Sequence, residues 1–592
     1  MIRLADYVIK FLEKKGITTV FTVSGGGSIF LCDALYKSKK IEYVSHHHEQ
    51  AASFAAESYA RAKKNVGCCF VTTGPGGTNT ITGVTSAWID SVPVIFVSGQ
   101  VFLSQTIKQT KKRQIGVQEI NIIDLVKPIT KFSKMITDPN SINFYLEKAY
   151  AISKSGRPGP VFIDIPADIQ NAMIDEKKIS KQKFKPKKTI FSIDSKVNRI
   201  VKILKNSKKP LIHLGHGIRL SNSEKLVKKF FNKYKIPFVV TWNADDIIAH
   251  DHKMYCGRPG AFGERGSNFI VQNCDFYLSI GTRLPFMVTG YNTKKFASRS
   301  KFKAMVDIDL HELKKNDLKI DLGIQSDAKF FLQKLFQKLK KYSSNKKWLN
   351  YCSEIRKKYP IVIDKMINEK KYVNSYFFIK TLSKLAKKND SIITDMGFSF
   401  TTSHQAFEIK DNQNFYTNSG HAPMGWGLPA AIGTYYAKKK NPNIICLSGE
   451  GGFQMNIQEL ATIMHNKIPL KIFIFNNGGY LTIKQTQILG FKGRIMGADK
   501  NSGLSFPNYS EIARAHNINY KKIKNHKNLG KQISKILKSK NSVICELIMN
   551  PDEEQIPKAI NRRNSSGKSI PTEFEDMYPF LPRDELSSNY LD

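Results

Sequence analysis

The chain has 592 residues and carries 92 Lys and Arg against 49 Asp and Glu, a formal net charge of +43. That length exceeds what one hydrophobic core supports and calls for roughly three or four domains, while 41% hydrophobic and 11% aromatic residues make a globular composition. No apolar run reaches the ~18 residues of a membrane span. The lysines spread over helix faces such as KLVKKFFNKYK rather than forming one arginine-rich stripe, so a solvated basic surface is expected and nucleic-acid binding is not.

In chain order, the first segment (1–175) opens with an amphipathic helix, MIRLADYVIKFLEKKG. It lacks the apolar stretch and cleavage site of a signal peptide, so a cytoplasmic protein without membrane partner is expected. Strand VFTV leads into SGGG and a helix, and strand IEYVS into the helix EQAASFAAESYARAKK. Strand VGCCFVTT then runs into GPGGTN, and VPVIFVSGQ closes the series. Strand, turn and helix in alternation predict an α/β fold.

Lysine-rich 176–189 reads as a linker. The second segment (190–345) holds strands PLIHLG, PFVVTW, CDFYLSIGTR and FKAMVDIDL, and 346–369 reads as a second linker. The third (370–550) holds SIITDMG, NIICLSG, LKIFIFNN and SVICELIM, and 551–592 reads as an extended tail. The expected fold class is therefore α/β with three doubly wound parallel-sheet domains, the first and third alike in kind. The eight cysteines form no CxxC pair and several lie in apolar runs, which predicts buried, reduced thiols.

The most informative stretch is IICLSGEGGFQMNIQELATIMHNKIPLKIFIFNNGGY, residues 444–480. A buried strand ends in a glycine-rich turn holding Glu450. Ile457, Leu460, Ala461 and Met464 follow at i, i+3, i+4 and i+7, one face of a helix. A second buried strand ends at Asn477. Parallel strands of a right-handed βαβ unit end on the same sheet edge, so Glu450 and Asn477 can meet there. Their carboxylate and amide oxygens suit Mg²⁺, and a helix N-terminus at that edge suits a diphosphate. The alternative is a plain turn between core strands.

This stretch resembles the diphosphate-and-metal motif of thiamine-diphosphate-dependent enzymes, a GDG turn followed at this spacing by NN; here the turn reads GEG. The resemblance implies that Glu450 and Asn477 bind Mg²⁺ through side chains and Gly479 through its carbonyl. Glutamate's extra methylene puts metal affinity and metal choice in doubt. HHHEQAASFAAESYARAKK resembles the pyrimidine-binding half of the acetolactate synthase (acetohydroxyacid synthase) large subunits, in which the glutamate of HEQ bonds N1′ of the aminopyrimidine and takes part in proton exchange. That role falls to Glu49; the alternative is a carboxylate that only satisfies a helix N-terminus. His46, His47 and His48 either contact substrate or cap the strand.

The same resemblance implies a cofactor cradle of Gly25, Gly26, Pro75 and Asn79 in the first segment. In the third it implies Met424, Gly449, Gly451, Gly452 and Tyr480. Met424, in GHAPMGWGLPAA, corresponds to the apolar wedge under the bent cofactor, with an ordinary core methionine as the alternative. GVQEINIIDLVKPITK resembles the family's AFQE…TK region, which implies that Gln118 stands near the reacting carbons. GTRLPF and VDID in the middle segment lie where the family binds FAD, which marks Gly215, Arg283, Asp307, Asp309 and Asp327; a vestigial or nucleotide-only pocket is the alternative.

The resemblance thus implies a pyrimidine-binding domain, a central domain and a diphosphate-binding domain. It also implies a homodimer or homotetramer with active sites between subunits. The expected reaction takes a small-molecule 2-keto acid, pyruvate, and adds its acyl group to an acceptor. VSGGG and HHHEQAA resemble relatives that add such a group to a keto sugar nucleotide, and a cofactor-binding scaffold without activity is the third reading.

Overall fold

The computed structural model describes residues 1–591 apart from 108–109, 178, 180–183, 187–188, 316, 439–442, 564–568 and 571, so part of the expected linker 176–189 lies outside the described residues. Three parallel sheets form the frame. The first contains β1 (Thr19–Thr22), β2 (Glu42–Ser45), β3 (Gly67–Val71), β4 (Val94–Gln100), β5 (Phe132–Met135) and β6 (Val161–Pro166) in the order β2-β1-β3-β4-β6-β5. The central sheet contains β7 (Pro210–Leu214), β8 (Phe238–Val240), β9 (Phe276–Ile280), β10 (Phe302–Asp307) and β11 (Leu322–Gln325), ordered β8-β7-β9-β10-β11. The third contains β12 (Ser391–Thr394), β13 (Asn414–Tyr416), β14 (Ile444–Gly449), β15 (Lys471–Asn476), β16 (Asn519–Ile523) and β17 (Val543–Ile548), ordered β13-β12-β14-β15-β17-β16.

The two outer sheets thus share one strand order although no repeat shows in the sequence. In each, the order reverses between the first strand and the third. Ligands of open α/β sheets bind where the order reverses, outside the carboxyl ends of the strands. The glycine turns after β1 and β3, and the segments after β12 and β14, all lie at such reversals.

The outer domains share a core. Helix Glu49–Lys63 packs along helix Gly427–Ala437, and the approach is close because a Cβ on Gly433 would lie 2.0 Å from the Ala55 carbonyl oxygen. Phe21, Ala52, Tyr59, Leu428 and Ile432 are buried together in this seam.

Three expectations are corrected. Residues 346–369 are not a bare linker: helix Lys346–Lys358 buries Trp348, Cys352 and Ile355 against the central domain, because those three recur at helical spacing within a basic stretch. The tail is not extended, since Phe574 and Leu586 are buried in the same cluster and the Phe574 carbonyl accepts from Asn268 Nδ2 at 3.0 Å. The helix after Glu450 breaks at Asn456 into Glu450–Met455 and Glu459–His465, so Met464 is exposed while Leu460 and Ile463 are buried. All eight cysteines are free and seven are buried. No helix of the described residues is long and apolar enough to cross a membrane.

Candidate active site

At the reversal of the first sheet, the turn after β1 is pressed onto the segment after β3. Gly27 N donates to Thr72 Oγ1 at 3.1 Å, and a Cβ on Gly25 would lie 2.6 Å from the Thr72 side chain. Gly26, in contrast, faces open space. The chain continues after β3 into the short helix Pro75–Thr78, which Asn79 ends. Asn79 Nδ2 donates to Glu49 Oε2 at 2.9 Å, while Glu49 Oε1 lies 3.8 Å from where a Cβ on Gly76 would stand. Asn79 therefore fixes one oxygen of the half-buried Glu49 and leaves the other toward the glycine turn.

The histidines before Glu49 divide their roles. His48 caps helix Glu49–Lys63, its Nδ1 accepting from Gln50 N at 3.0 Å. His46 is buried, with Nδ1 2.7 Å from Glu459 Oε2, and His47 N donates to Glu459 Oε1 at 3.0 Å. Burial raises the Glu459 carboxyl, but hydrogen bonds and charge from His46, with the Thr462 hydroxyl, hold it below the usual carboxylate range. Among the described residues no three His, Cys, Asp or Glu form a metal site.

At the reversal of the third sheet, Glu450 opens its helix at the end of β14 and Asn477 follows β15. Glu450 Oε2 accepts from Asn477 N at 3.0 Å and Oε1 from Gly478 N at 2.9 Å. The extra methylene is thus accommodated by folding the carboxylate back onto the loop. Burial pushes this carboxyl up to about 7 against the pull of those N–H groups. With its oxygen toward the carboxylate, the Asn477 amide lies 3.3 Å from Glu450 Oε2 and 2.8 Å from the Gly479 carbonyl; turned over, its nitrogen donates to both. The Glu450 carboxylate and the Gly479 carbonyl thus meet at the Asn477 amide, whose nitrogen links them here and whose oxygen would complete a set of hard donors around a divalent cation, so the donor set fits Mg²⁺.

Beside this loop the glycines are used differently. Gly449 borders open space. A Cβ on Gly451 would lie 2.1 Å from Tyr480 Cε1 and 2.6 Å from Met424 Cε, which brings three expected cofactor residues into one patch. A Cβ on Gly452 would lie 2.6 Å from the Asp395 carboxyl carbon. Open backbone at Gly449 beside the apolar Met424 and the Tyr480 ring is a surface that fits the bent cofactor. Met424 joins the apolar cluster of Trp242, Met396 and Phe400.

Asp395 was missed by sequence reasoning, although it stands at the carboxyl end of β12 just as Glu450 follows β14. It is fully buried and accepts from Met396 N (2.7 Å), Gly425 N (3.0 Å), Gly427 N (3.1 Å) and the Ser448 hydroxyl (3.2 Å). It thereby ties the Met424 loop to the strand that leads into the GEG turn. Burial pushes its carboxyl up to about 6.

Gln118 has a left-handed backbone (φ 62°) and an exposed side chain. Its carbonyl would lie 2.0 Å from a Cβ on Gly74, itself at φ 58°, so the Gln118 backbone is seated on the glycine turn of the first domain. The next residue, Glu119, is buried and accepts from the Ile107 and Ile115 amides, which fastens this loop.

A cleft of about 370 Å³ lies at the reversal of the central sheet and includes Arg283, Asp307 and Asp327 in its walls. Gly215 is corrected: it packs strand ends rather than lining this cleft, because a Cβ there would lie 2.3 Å from the Gly281 carbonyl. Asp327 caps helix Ala328–Lys338 by accepting from Phe330 N at 3.1 Å. Asp307 pairs with Arg157 of the first domain at 3.0 Å, and Asp309 lies 3.5 Å from the same guanidinium. Burial raises the Asp307 carboxyl despite that partner.

Three family models match in chain order: thiamine pyrophosphate enzyme N-terminal TPP binding domain over residues 2–122, central domain over 197–335 and C-terminal TPP binding domain over 395–547. The chain is 31% identical to the acetolactate synthase large subunit of Cyanidium caldarium, covering 94% of this chain and 95% of that one. It is 32% identical to the probable acetolactate synthase large subunit of Methanocaldococcus jannaschii over 93% and 92% of the two chains. With the acetolactate synthase isozyme 2 large subunit of Escherichia coli the identity is 31% over 83% and 86%. The glycine turns, Glu49, and the Glu450–Asn477 loop all fall within the two TPP binding matches, and the chain belongs to the thiamine pyrophosphate enzyme family as an enzyme of the acetolactate synthase type.

Proposed function

We propose that this protein is a Mg²⁺-requiring decarboxylating carboligase that takes the acyl group of a 2-keto acid, pyruvate, and joins it to a second keto compound. One observation carries the reading. Glu450, Asn477 and the Gly479 carbonyl converge at the sheet edge next to the patch where Gly451 meets Met424 and Tyr480.

Thiamine diphosphate, when bound, supplies a nucleophilic carbon and an electron sink for loss of CO₂. The chain's own residues do the rest. Glu450, Asn477 and Gly479 would hold Mg²⁺, which would supply the charge to screen a diphosphate. Met424 supports the cofactor from its apolar side. Glu49 holds or passes a proton at Oε1, the oxygen that Asn79 leaves toward the turn. Asp395 keeps the Met424 loop and the GEG turn in fixed relation. Gln118 stands at the rim to orient substrate.

The Glu49 turn and the Glu450 loop lie in different domains, and on the resemblance to the acetolactate synthase large subunits we propose sites shared between subunits of a homodimer or homotetramer. The central cleft fits FAD only in part: Asp307 suits a ribose hydroxyl, but the Gly215 turn is closed against Gly281, and no step is assigned to FAD.

The test is purified protein with thiamine diphosphate, Mg²⁺ and pyruvate, followed for CO₂ and acetolactate. Steady release of both supports the proposal. Turnover that waits for an added keto sugar nucleotide makes an activated sugar the acceptor. Cofactor binding without CO₂ from any 2-keto acid would make the chain a scaffold and refute the proposal.

A further inference from the structure

The loop that carries Met424 is held from outside its own domain. Its two ends, Asn418 and Trp426, both reach Glu57, a fully buried carboxylate on the third turn of helix Glu49–Lys63. Trp426 Nε1 donates to Glu57 Oε2 at 2.5 Å, and Asn418 Nδ2 lies 3.3 Å from each Glu57 oxygen. Arg61 Nε donates to Glu57 Oε1 at 2.9 Å, and the same guanidinium pairs with Asp90 at 2.8 Å. Asp90 in turn supports the loop's start, since a Cβ on Gly420 would lie 2.2 Å from Asp90 Oδ1.

Between these fixed points the backbone is strained. Ala422 has φ 58° and Gly425 φ 87°, and a left-handed alanine persists only where its surroundings over-determine it. On the C-terminal side, Asp395 takes the Gly425 and Gly427 amides, and Asn456 Nδ2 donates to the Gly425 carbonyl at 2.7 Å. Those contacts fix the end of the loop after Met424. The start, at Asn418 and Gly420, is fixed by Glu57 and Asp90 of the first domain.

We infer that Glu57 is a positioning residue for the cofactor: it clamps both ends of the loop 418–426 and so sets where Met424 stands. The inference rests on the reading of Met424 as cofactor support. A single rigid helix then carries Glu49 on its first turn and the clamp of the Met424 loop two turns later. A buried ion pair kept only for stability would give the same burial but would not place two loop-end donors on one carboxylate.

The test is a double-mutant cycle on thiamine diphosphate affinity at saturating Mg²⁺, with melting temperature measured alongside. Trp426→Phe keeps an aromatic ring but removes the indole donor together with some buried volume, Glu57→Gln keeps the shape and so isolates the clamp without a cavity, and Met424→Ala removes the support. Trp426→Phe and Glu57→Gln are each expected to weaken thiamine diphosphate binding at least 10-fold, about as much as Met424→Ala. The double variant Trp426→Phe/Met424→Ala is expected to bind no more weakly than Met424→Ala alone, because both changes act on one loop. A purely structural role would lower the melting temperature and leave affinity per folded molecule unchanged. Wild-type affinity in Trp426→Phe and Glu57→Gln beside a weakened Met424→Ala overturns the clamp, and so does full additivity in the double variant. Wild-type affinity in Met424→Ala overturns instead the reading of Met424 on which the inference rests.

Discussion

Asp395→Ala removes the one acceptor shared by the Met396, Gly425 and Gly427 amides and the Ser448 hydroxyl. Bonds to a charged acceptor are worth ~1.5–3 kcal/mol each, so the gross loss is several kcal/mol. Against it stands the cost of burying the carboxylate, large enough to raise the carboxyl from 3.8 to about 6 despite those bonds. Buried donors left without their acceptor cost ~1–3 kcal/mol, and a net loss of ~3 kcal/mol lowers the melting temperature of a domain of this size by roughly 6–12 °C.

The pH dependence has a definite sign. The folded protein keeps the Asp395 proton up to about pH 6 while the unfolded chain releases it near 3.8. The folded state therefore binds more protons in that window, and stability from this group falls as pH rises through it. Alanine does not titrate, so the deficit of the variant is largest at low pH and narrows toward pH 7.5. Melting curves by far-UV circular dichroism, taken without cofactor from pH 5 to 7.5, measure both the deficit and its slope. A variant that melts within 2 °C of wild type throughout, and binds thiamine diphosphate equally well, would refute the role given to Asp395.

Gly433→Ala drives a methyl group into the Ala55 carbonyl, 2.0 Å away across the seam of the outer domains; overpacking there should cost ~1–3 kcal/mol, read as a lower melting temperature. Asn477→Ala removes one side chain of the proposed Mg²⁺ site, so retention of thiamine diphosphate on a desalting column should need at least 10-fold more Mg²⁺, and an unchanged requirement would place the metal elsewhere. Deleting residues 572–592 uncovers the sites of Phe574, Met577 and Leu586, side chains worth ~1.5–3 kcal/mol each when buried. Calorimetry should show the central domain melting earlier, and an unchanged thermogram would mean the tail does not brace it.

The frame was legible because buried parallel strands read as apolar runs ending in glycine turns, and Glu49, Glu450 and Asn477 stand at those ends. The strands that went unread are mostly short and near sheet edges. Phe132–Met135, Leu322–Gln325, Asn414–Tyr416 and Asn519–Ile523 alternate poorly or are half exposed, so no strong pattern marks them. Asp395, Glu459 and Glu57 escaped notice for a different reason. Glu459 acts on His46 and Glu57 on Trp426, pairings that exist only once the domains have docked, while Asp395 acts on amides some 30 residues on within its own domain. Helix Lys346–Lys358 was hidden because its buried residues are diluted by lysines that snorkel from the same turns.

The most direct test of the account is the rate of CO₂ release from pyruvate by the Glu49→Gln variant with saturating thiamine diphosphate and Mg²⁺. In the proposed mechanism Glu49 takes part in the proton exchange that makes the cofactor reactive, and the Asn79 bond to Oε2 is one that a glutamine oxygen can still accept. Cofactor affinity and assembly should therefore hold to within a few-fold, while CO₂ release falls by ~10²–10⁴. Release at more than a tenth of the wild-type rate would contradict the assignment of Glu49 and, with it, the proposed active site.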